Sequence, residues 1–132
     1  MLVAMLDANL CIRVLRDRPG PWRERFKAEA RSLAISTIVL HELYYGAERS
    51  NRPQAQRKKV GDFAAHISVL DFDSAAASHA AVIKADLAAI GQIIGPNDLL
   101  IAGHARSLDL TIITGNLKEF TRVEGLRCED WL

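Results

Sequence analysis

The chain has 132 residues, of which 49% are hydrophobic and 25% charged, and its formal net charge is +1, the ordinary balance of one globular domain. No apolar run approaches the roughly 20 residues of a membrane span. The apolar start Met1–Leu6 is too short for a secretory signal and has no basic residues before it, so we predict a cytoplasmic protein with no membrane segment.

Short apolar runs alternate with longer helical segments along the chain. Because parallel strands are buried on both faces, such runs predict the strands of a parallel sheet, and the segments between them predict helices that cover it. We therefore expect an α/β fold in which one domain, residues 1–132, has a central parallel sheet of four to five strands flanked by helices. The predicted elements in chain order are strand Leu2–Leu6, helix Asn9–Leu15, helix Trp22–Ala30, strand Leu33–Ser36, a helix capped by Thr37 and ending near Arg49, helix Gln54–His66, strand Ile67–Leu70, a helix from Asp73 to Ile90, helix Asn97–Leu108, strand Thr111–Thr114 and a short edge strand Leu126–Cys128.

One predicted helix has clear signals at both ends. Asp73 is a suitable N-cap, and Gly91 is a suitable residue just beyond the C-terminus. Between them, apolar residues recur at spacings of three and four, which predicts a single buried stripe along the helix. The residues of this stripe are Ala76, Ala80, Ile83, Leu87 and Ile90.

Basic residues are concentrated in the first half of the chain. Residues 1–60 carry 12 Lys or Arg against 6 Asp or Glu, whereas residues 61–132 carry 5 against 10. The densest basic stretch extends from Arg49 to Lys59 and follows Tyr44 and Tyr45. Such a stretch can contact nucleic-acid phosphates. A solvated helix–loop–helix surface is the alternative explanation of the same charges.

The cysteines and histidines do not form a metal-binding pattern. Cys11 and Cys128 have no CxxC spacing and no neighbouring His, which predicts two plain buried thiols rather than a zinc site or a disulfide framework. The histidines show no HxH or HxxxH spacing, so we interpret all four as structural or exposed. They are His41, His66, His79 and His104.

Three carboxylates have unusual positions. Asp7 directly follows the first predicted strand. Glu42 and Asp98 lie in predicted helices, and neither has a Lys or Arg three or four residues away. Each also has a simpler interpretation. Asp7 and Asp98 can cap their helices, and Glu42 can be an exposed residue beside a dimer surface.

The last long strand is followed by further polar residues, of which Asn116 and Glu119 can reach the same edge of the sheet. Ligands of open α/β sheets bind beyond the carboxyl ends of the strands. Carboxylates clustered there repel one another unless a cation joins them, and oxygen ligands without Cys or clustered His favour Mg²⁺ or Mn²⁺ over Zn²⁺. Such an ion can activate water and neutralise phosphate charge, which phosphodiester hydrolysis requires.

Four segments in this order resemble the PIN-domain ribonucleases, and among them the VapC toxins of bacterial type II toxin–antitoxin systems. The resemblance extends from Leu2 to the closing Cys128-Glu-Asp-Trp-Leu. The segments are Met-Leu-Asp7-Ala-Asn9, Ser36-Thr-Ile-Val-Leu-His-Glu42-Leu-Tyr-Tyr-Gly46, Asn97-Asp98-Leu-Leu-Ile-Ala102 and Ile-Thr114-Gly-Asn116-Leu-Lys-Glu119-Phe120.

The resemblance implies a Mg²⁺-dependent, or Mn²⁺-dependent, endoribonuclease. Asp7 and Asp98 would be the principal metal ligands, and Glu42 would complete the catalytic cluster. Four residues would support the pocket: Asn9, Thr114, Asn116 and Glu119. We add a hypothesis from the charge pattern, that the RNA backbone contacts Arg49, Arg52 and Lys58.

The resemblance also implies partners. VapC toxins form homodimers, and a cognate VapB antitoxin inhibits them by covering the pocket with its tail. The complex binds operator DNA through the antitoxin. Several members cut a structured RNA such as a tRNA, so the implied outcome is arrest of translation and growth.

Two positions depart from the family pattern. Ala8 stands where a Thr or Ser is usual, which removes a hydroxyl near the metal. Asn116 stands where Asp is common, which lowers the negative charge of the site by one and favours operation with one metal ion.

Two other function classes fit less well. A haloacid-dehalogenase-type phosphatase needs a second Asp where this chain has Asn9, and a response-regulator receiver needs paired acids and a late Lys that are not apparent. The main alternative is a non-catalytic dimeric module that binds nucleic acid or protein and has a decayed metal site.

Overall fold

The computed structural model of the chain describes residues 1–132 and contains one five-stranded sheet. Its strands in chain order are β1 (Ala4–Leu6), β2 (Leu33–Ser36), β3 (Ser68–Leu70), β4 (Thr111–Ile113) and β5 (Cys128–Glu129). They lie side by side in the order β3-β2-β1-β4-β5, and every neighbouring pair is parallel. The predicted α/β class with a central parallel sheet is therefore confirmed.

Seven α-helices connect and flank the strands. None of them combines the length and the apolar content that crossing a membrane requires. The helices are α1 (Ala8–Leu15), α2 (Trp22–Glu29), α3 (Thr37–Glu48), α4 (Pro53–Ala65), α5 (Ser74–Ala89), α6 (Pro96–Ser107) and α7 (Leu117–Phe120), and a 3₁₀ turn at Ala30–Ser32 leads from α2 into β2.

The element boundaries differ from the predicted ones in a few places. The N-cap of α3 is Ser36 rather than Thr37, because the Ser36 hydroxyl accepts a hydrogen bond from the Ile38 amide at 3.0 Å. The edge strand β5 begins at Cys128 instead of ending there. The helix α7 was not predicted, since its four residues are too short to show a helical period.

The sheet is most deeply buried at its centre. Every residue of β1 and β2 is buried, as expected for strands that have a neighbour on each side and helices on both faces. Cys11, on α1, joins this core, whereas Cys128 on the edge strand is only half-buried, and both are free thiols. The central strands therefore hold the residues that follow them, including Asp7 and Ser36, in fixed positions.

The long helix α5 packs its small residues against α6. Its N-cap is Asp73, which accepts from the Ala76 amide at 3.0 Å, and Gly91 follows its end with a φ of +66°. The predicted stripe is buried except for Ile90, which is 63% exposed because it is already the C-cap, with a φ of −103°. The helix therefore ends one residue before the last residue of the apolar stripe.

Gly103 allows α5 and α6 to approach each other. A Cβ atom at this position would lie 2.6 Å from the Ala80 backbone nitrogen and 2.7 Å from its Cα, which is closer than real Cβ contacts. The obstacle is backbone, so no side chain can rotate to relieve it. Because α6 also carries Asp98, this close contact fixes the depth at which that carboxylate lies.

We predict that Gly103→Ala destabilises the protein by about 1–3 kcal/mol, since forcing extra atoms into a packed interface costs about that much. The free energy of unfolding in urea measures the effect. Gly46→Ala is the matched control. Gly46 is also helical, and a Cβ there meets nothing within 4 Å. That substitution should stabilise by about 0.5–1 kcal/mol. Equal effects of both substitutions would contradict the packing argument.

Candidate active site

Asp7 lies at the carboxyl end of β1 and is 3% exposed. One of its oxygens accepts from the Leu10 amide at 3.4 Å, so it does cap α1, as the simpler interpretation supposes. The other oxygen accepts from the Thr114 hydroxyl at 2.5 Å. Burial raises the pKa of Asp7, and the Thr114 hydrogen bond opposes this shift. The Leu10 amide and the Thr114 hydroxyl therefore hold the Asp7 carboxylate in one orientation, in which it can act as a ligand of a cation.

Thr114 connects two strand ends. It follows β4, which pairs with β1, and it is 1% exposed. Its hydroxyl donates to Asp7 and accepts from the Asn116 amide at 2.8 Å. The Asn116 side chain then donates to Glu119 at 2.9 Å. The loop after β4 therefore holds Asp7 through one continuous series of hydrogen bonds.

Glu42 lies on α3, and its Oε1 atom is buried without a hydrogen-bond partner. Burial raises its pKa and so does the negative charge of Asp7, while the neighbouring Asn97 side chain opposes the shift. Glu42 is therefore not the freely exposed residue of the simpler interpretation. A buried carboxylate oxygen with no partner is costly, so it favours a ligand that supplies positive charge.

Asp98 lies in the first turn of α6 and is half-buried. Its pKa is raised to about 7, first by burial, then by a hydrogen bond with the Glu119 carboxyl group and by the negative charges of Glu119, Asp7 and Glu42. These contacts bring together carboxylates from four separate segments of the chain. Asp7, Glu42, Asp98 and Glu119 are called the carboxylate cluster below, because the charges of the other three act on Asp98.

Neither the Asn9 side chain nor the predicted RNA-binding residues contact the carboxylate cluster. The backbone amide of Asn9 donates to Asp7, but its side chain is exposed. The guanidinium of Arg49 lies over the Tyr45 ring at 5.2 Å, and Lys58 pairs with Asp62 at 3.0 Å. The role of Arg49, Arg52 and Lys58 in binding RNA stays a prediction.

A buried Ser–His pair connects the helices that carry Glu42 and Asp98. His104, on α6, is 2% exposed and its Nδ1 lies 2.8 Å from the hydroxyl of Ser36, the N-cap of α3. Phe72 packs edge-on against the imidazole. Burial lowers the pKa of His104. His104 is thus structural, as predicted, but its partner lies 68 residues away and no local pattern indicates that contact.

The donor set fits a hard divalent cation. It consists of carboxylate, hydroxyl and amide oxygens, and it includes the unpartnered Oε1 of Glu42. The side chains as they stand do not bring three His, Cys, Asp or Glu residues close enough to hold one ion. Asp98 instead shares a hydrogen bond with Glu119. The two positions that depart from the family pattern also limit the ligands of the site. Ala8 supplies no hydroxyl, and the Asn116 side-chain amide donates its hydrogen bond to Glu119.

Comparisons with known proteins point in the same direction. The PIN domain model matches residues 4–126. The chain is 48% identical over 131 residues to the tRNA(fMet)-specific endonuclease VapC of Shigella flexneri, covering 99% of each chain. It is 42% identical over 132 residues to ribonuclease VapC2 of Haemophilus influenzae strain Rd, covering 100% of each. A crystal structure of DNA-bound VapBC from Salmonella typhimurium contains a chain with a TM-score of 0.95 and 45% identity, with 100% of both chains covered.

We predict that Asp98→Asn stabilises the metal-free protein at pH 8. Asp98 has a pKa of about 7 in the folded protein and 3.8 as its reference. The stability that its protonated form contributes is present below pH 3.8 and is lost as the pH rises through about 7. The neutral Asn does not incur this loss. The gain in Tm, measured in EDTA, should therefore be larger at pH 8 than at pH 5.

Asp86→Asn is the control, since Asp86 is exposed on α5 and makes no ion pair. Its change in Tm should be small at both pH values. A gain for Asp98→Asn that does not depend on pH would show that Asp98 is not held in a repulsive environment.

Proposed function

The chain belongs to the PIN-domain family, among the VapC ribonucleases, and on that premise we propose that Asp7, Glu42 and Asp98 bind a divalent cation and hydrolyse phosphodiester bonds in RNA. PIN-domain nucleases are generally dependent on divalent metals, and we propose Mg²⁺, with Mn²⁺ as a substitute. The observation that carries the proposal is the buried Oε1 atom of Glu42, which has no hydrogen-bond partner. It belongs to a group of carboxylates in which burial, and then Glu119, Asp7 and Glu42, raise the pKa of Asp98 to about 7. Such a cluster is relieved when a cation joins it.

The protein residues have distinct tasks in this proposal. A bound Mg²⁺ or Mn²⁺ ion lowers the pKa of a water molecule and offsets charge on the phosphate. Thr114 fixes the orientation of Asp7 by donating a hydrogen bond to its carboxylate, and this bond opposes the rise in the pKa of Asp7 that burial causes. Glu42 presents its unpartnered Oε1, and Asp98 must give up the proton of its hydrogen bond with Glu119 before it can act as a ligand. Asn116 keeps Glu119 in place.

We also propose the class of substrate and the biological outcome. The Shigella relative is named as specific for tRNA(fMet), which supports a structured RNA such as a tRNA as the substrate of this chain. Cleavage of a tRNA would arrest translation and growth, and it would take place in the cytoplasm. The whole chain, residues 1–132, would act as one nuclease domain.

The proposed partners follow from the DNA-bound VapBC complex of Salmonella. We propose a VapB-type antitoxin whose tail covers the acidic pocket, operator DNA that binds through the antitoxin, and a homodimer of this chain. The groove between α1, α3 and α4 supports the first of these. It has a volume of about 340 Å³, Glu42 lies in it, and its walls include Leu15, Leu43 and Val60. Apolar walls beside the carboxylate suit an amphipathic peptide.

The test is cleavage of total bacterial RNA and of a tRNA(fMet) transcript by the purified, antitoxin-free protein with Mg²⁺, with Mn²⁺ and with EDTA. We expect discrete fragments that disappear in EDTA. Asp7→Asn should lower the cleavage rate by more than about 100-fold, because loss of a residue that merely supports a metal ligand already costs roughly 10–100-fold.

Two further variants sharpen this test. Thr114→Val removes the donor to Asp7 and should lower the rate by about 10–100-fold, while Thr114→Ser should restore most of it. Asp86→Asn, remote from the cluster, should cleave like the wild type. A folded wild-type protein that binds RNA equally with and without EDTA and never cuts it would contradict the proposal and favour the decayed binding module.

A further inference from the structure

One face of α1 carries arginines into a groove beside the acidic cluster. Asn9, Ile12, Arg13 and Arg16 follow one another at helical spacings of three, one and three, so they share a face. With Arg18 they line a depression of about 430 Å³. Its other walls are Gly115 and Leu132. We call Arg13, Arg16 and Arg18 the arginine face.

The arginine face has no counter-charge within the chain. All three side chains are exposed, and none forms an ion pair with a carboxylate. The one acid between them, Asp17, pairs with Arg23 instead. Three cations gathered without an acid repel one another, so this arrangement favours an anionic ligand.

This groove is continuous with the candidate active site. Asn9 is two residues after Asp7 and its amide donates to that carboxylate. Gly115 directly follows Thr114, the hydroxyl donor to Asp7. Ile12 and Arg16 also line the neighbouring groove in which Glu42 lies. A polymer that passed over Arg16 would therefore pass directly beside the carboxylates.

The charge balance of the site favours a nucleic-acid strand as that ligand. The carboxylate cluster repels phosphates, so a strand held there needs cations nearby to offset the repulsion. In the basic stretch on α3 and α4, Arg57 pairs with Glu48 and Lys58 pairs with Asp62. Arg49, Arg52 and Lys59 form no ion pair either, but the arginine face shares its groove with Asn9 and Gly115, which adjoin Asp7 and Thr114.

We propose that Arg13, Arg16 and Arg18 bind the backbone phosphates of the RNA strand that flank the bond to be cut. This inference rests on the proposed ribonuclease function and adds to it the surface that positions the substrate. Each guanidinium contacts a phosphate oxygen, and the contacts carry no base specificity. The arginine face therefore determines affinity and register on the RNA, while the carboxylates determine the rate of the chemical step.

The test measures binding and cleavage separately. Binding of a short fluorescent single-stranded RNA is followed by anisotropy with Mg²⁺ in the cleavage-deficient Asp98→Asn background, over a series of KCl concentrations. Arg13→Gln, Arg16→Gln and Arg18→Gln should each reduce the slope of log affinity against log salt by about 1. The triple variant should bind RNA about 10–100-fold more weakly at about 150 mM KCl.

A matched triple variant controls for the loss of net charge. Lys27→Gln, Arg31→Gln and Lys84→Gln remove three exposed cations that make no ion pair and lie outside the groove. This variant should keep wild-type affinity within about 2-fold. Circular dichroism and Tm establish that both triple variants are folded, which is expected because every substituted residue is exposed.

Cleavage assays use the chain with Asp98 intact. They separate the proposal that the arginine face binds RNA from the proposal that the protein is a ribonuclease. If that chain cuts RNA and the arginine-face triple variant binds it as tightly as the control, the inference is wrong and the ribonuclease function stands. An equal loss in both triple variants would also overturn it, because only net charge would then matter. If the wild-type chain neither binds nor cuts RNA, both proposals fail.

Discussion

Mutual repulsion among carboxylates gathered at one edge of the sheet is the constraint on which the rest of the structure depends. Asp7 reaches this edge because β1 ends there. Glu42 lies on α3, which follows β2, and Asp98 lies at the start of α6, which precedes β4. Burial is the first cause that raises the pKa of all three carboxyl groups, and at Glu42 and Asp98 the negative charge of neighbouring acids raises it further. The close packing of α5 on α6 at Gly103 prevents α6 from moving away to relieve the repulsion. A cation that joined these carboxylates would relieve the repulsion, and the proposed cleavage of RNA would use that cation.

The residues around the carboxylate cluster are of two kinds: some orient the carboxylates through hydrogen bonds, and others supply positive charge. Thr114 and Asn116 orient Asp7 and Glu119 through hydrogen bonds, while Ser36 and His104 connect the start of α3 to α6. None of these residues can neutralise a carboxylate fully, because hydroxyls, amides and a buried neutral imidazole carry no net positive charge. Positive charge lies instead on the arginine face, in the neighbouring groove. The resulting juxtaposition of acid and base suits a polyanionic substrate whose reacting phosphate must approach negative ligands.

The sequence predicted the sheet and the principal acids because their signals are local. Asp7 follows an apolar run, and Glu42 has no charged neighbour on its helix, so both could be identified without a structure. Contacts between segments that are distant in the chain could not be identified from the sequence. The Asp98–Glu119 and Ser36–His104 hydrogen bonds join residues far apart in the chain. The arginine face was not predicted because the basic stretch after Tyr45 is denser, and only the folded chain reveals that Arg57 and Lys58 of that stretch pair with carboxylates.

The most direct test of the account is a calorimetric titration with Mn²⁺ of the wild type, of Asp7→Asn, of Glu42→Gln and of the Asp7→Asn/Glu42→Gln double variant. In the proposed site these carboxylates share one cation. Each single variant should then weaken binding strongly, and the double variant should lose less than the two single losses combined, because residues that act through one ion are not additive. Independent, additive losses, or single variants that bind Mn²⁺ as tightly as the wild type, would contradict a shared site.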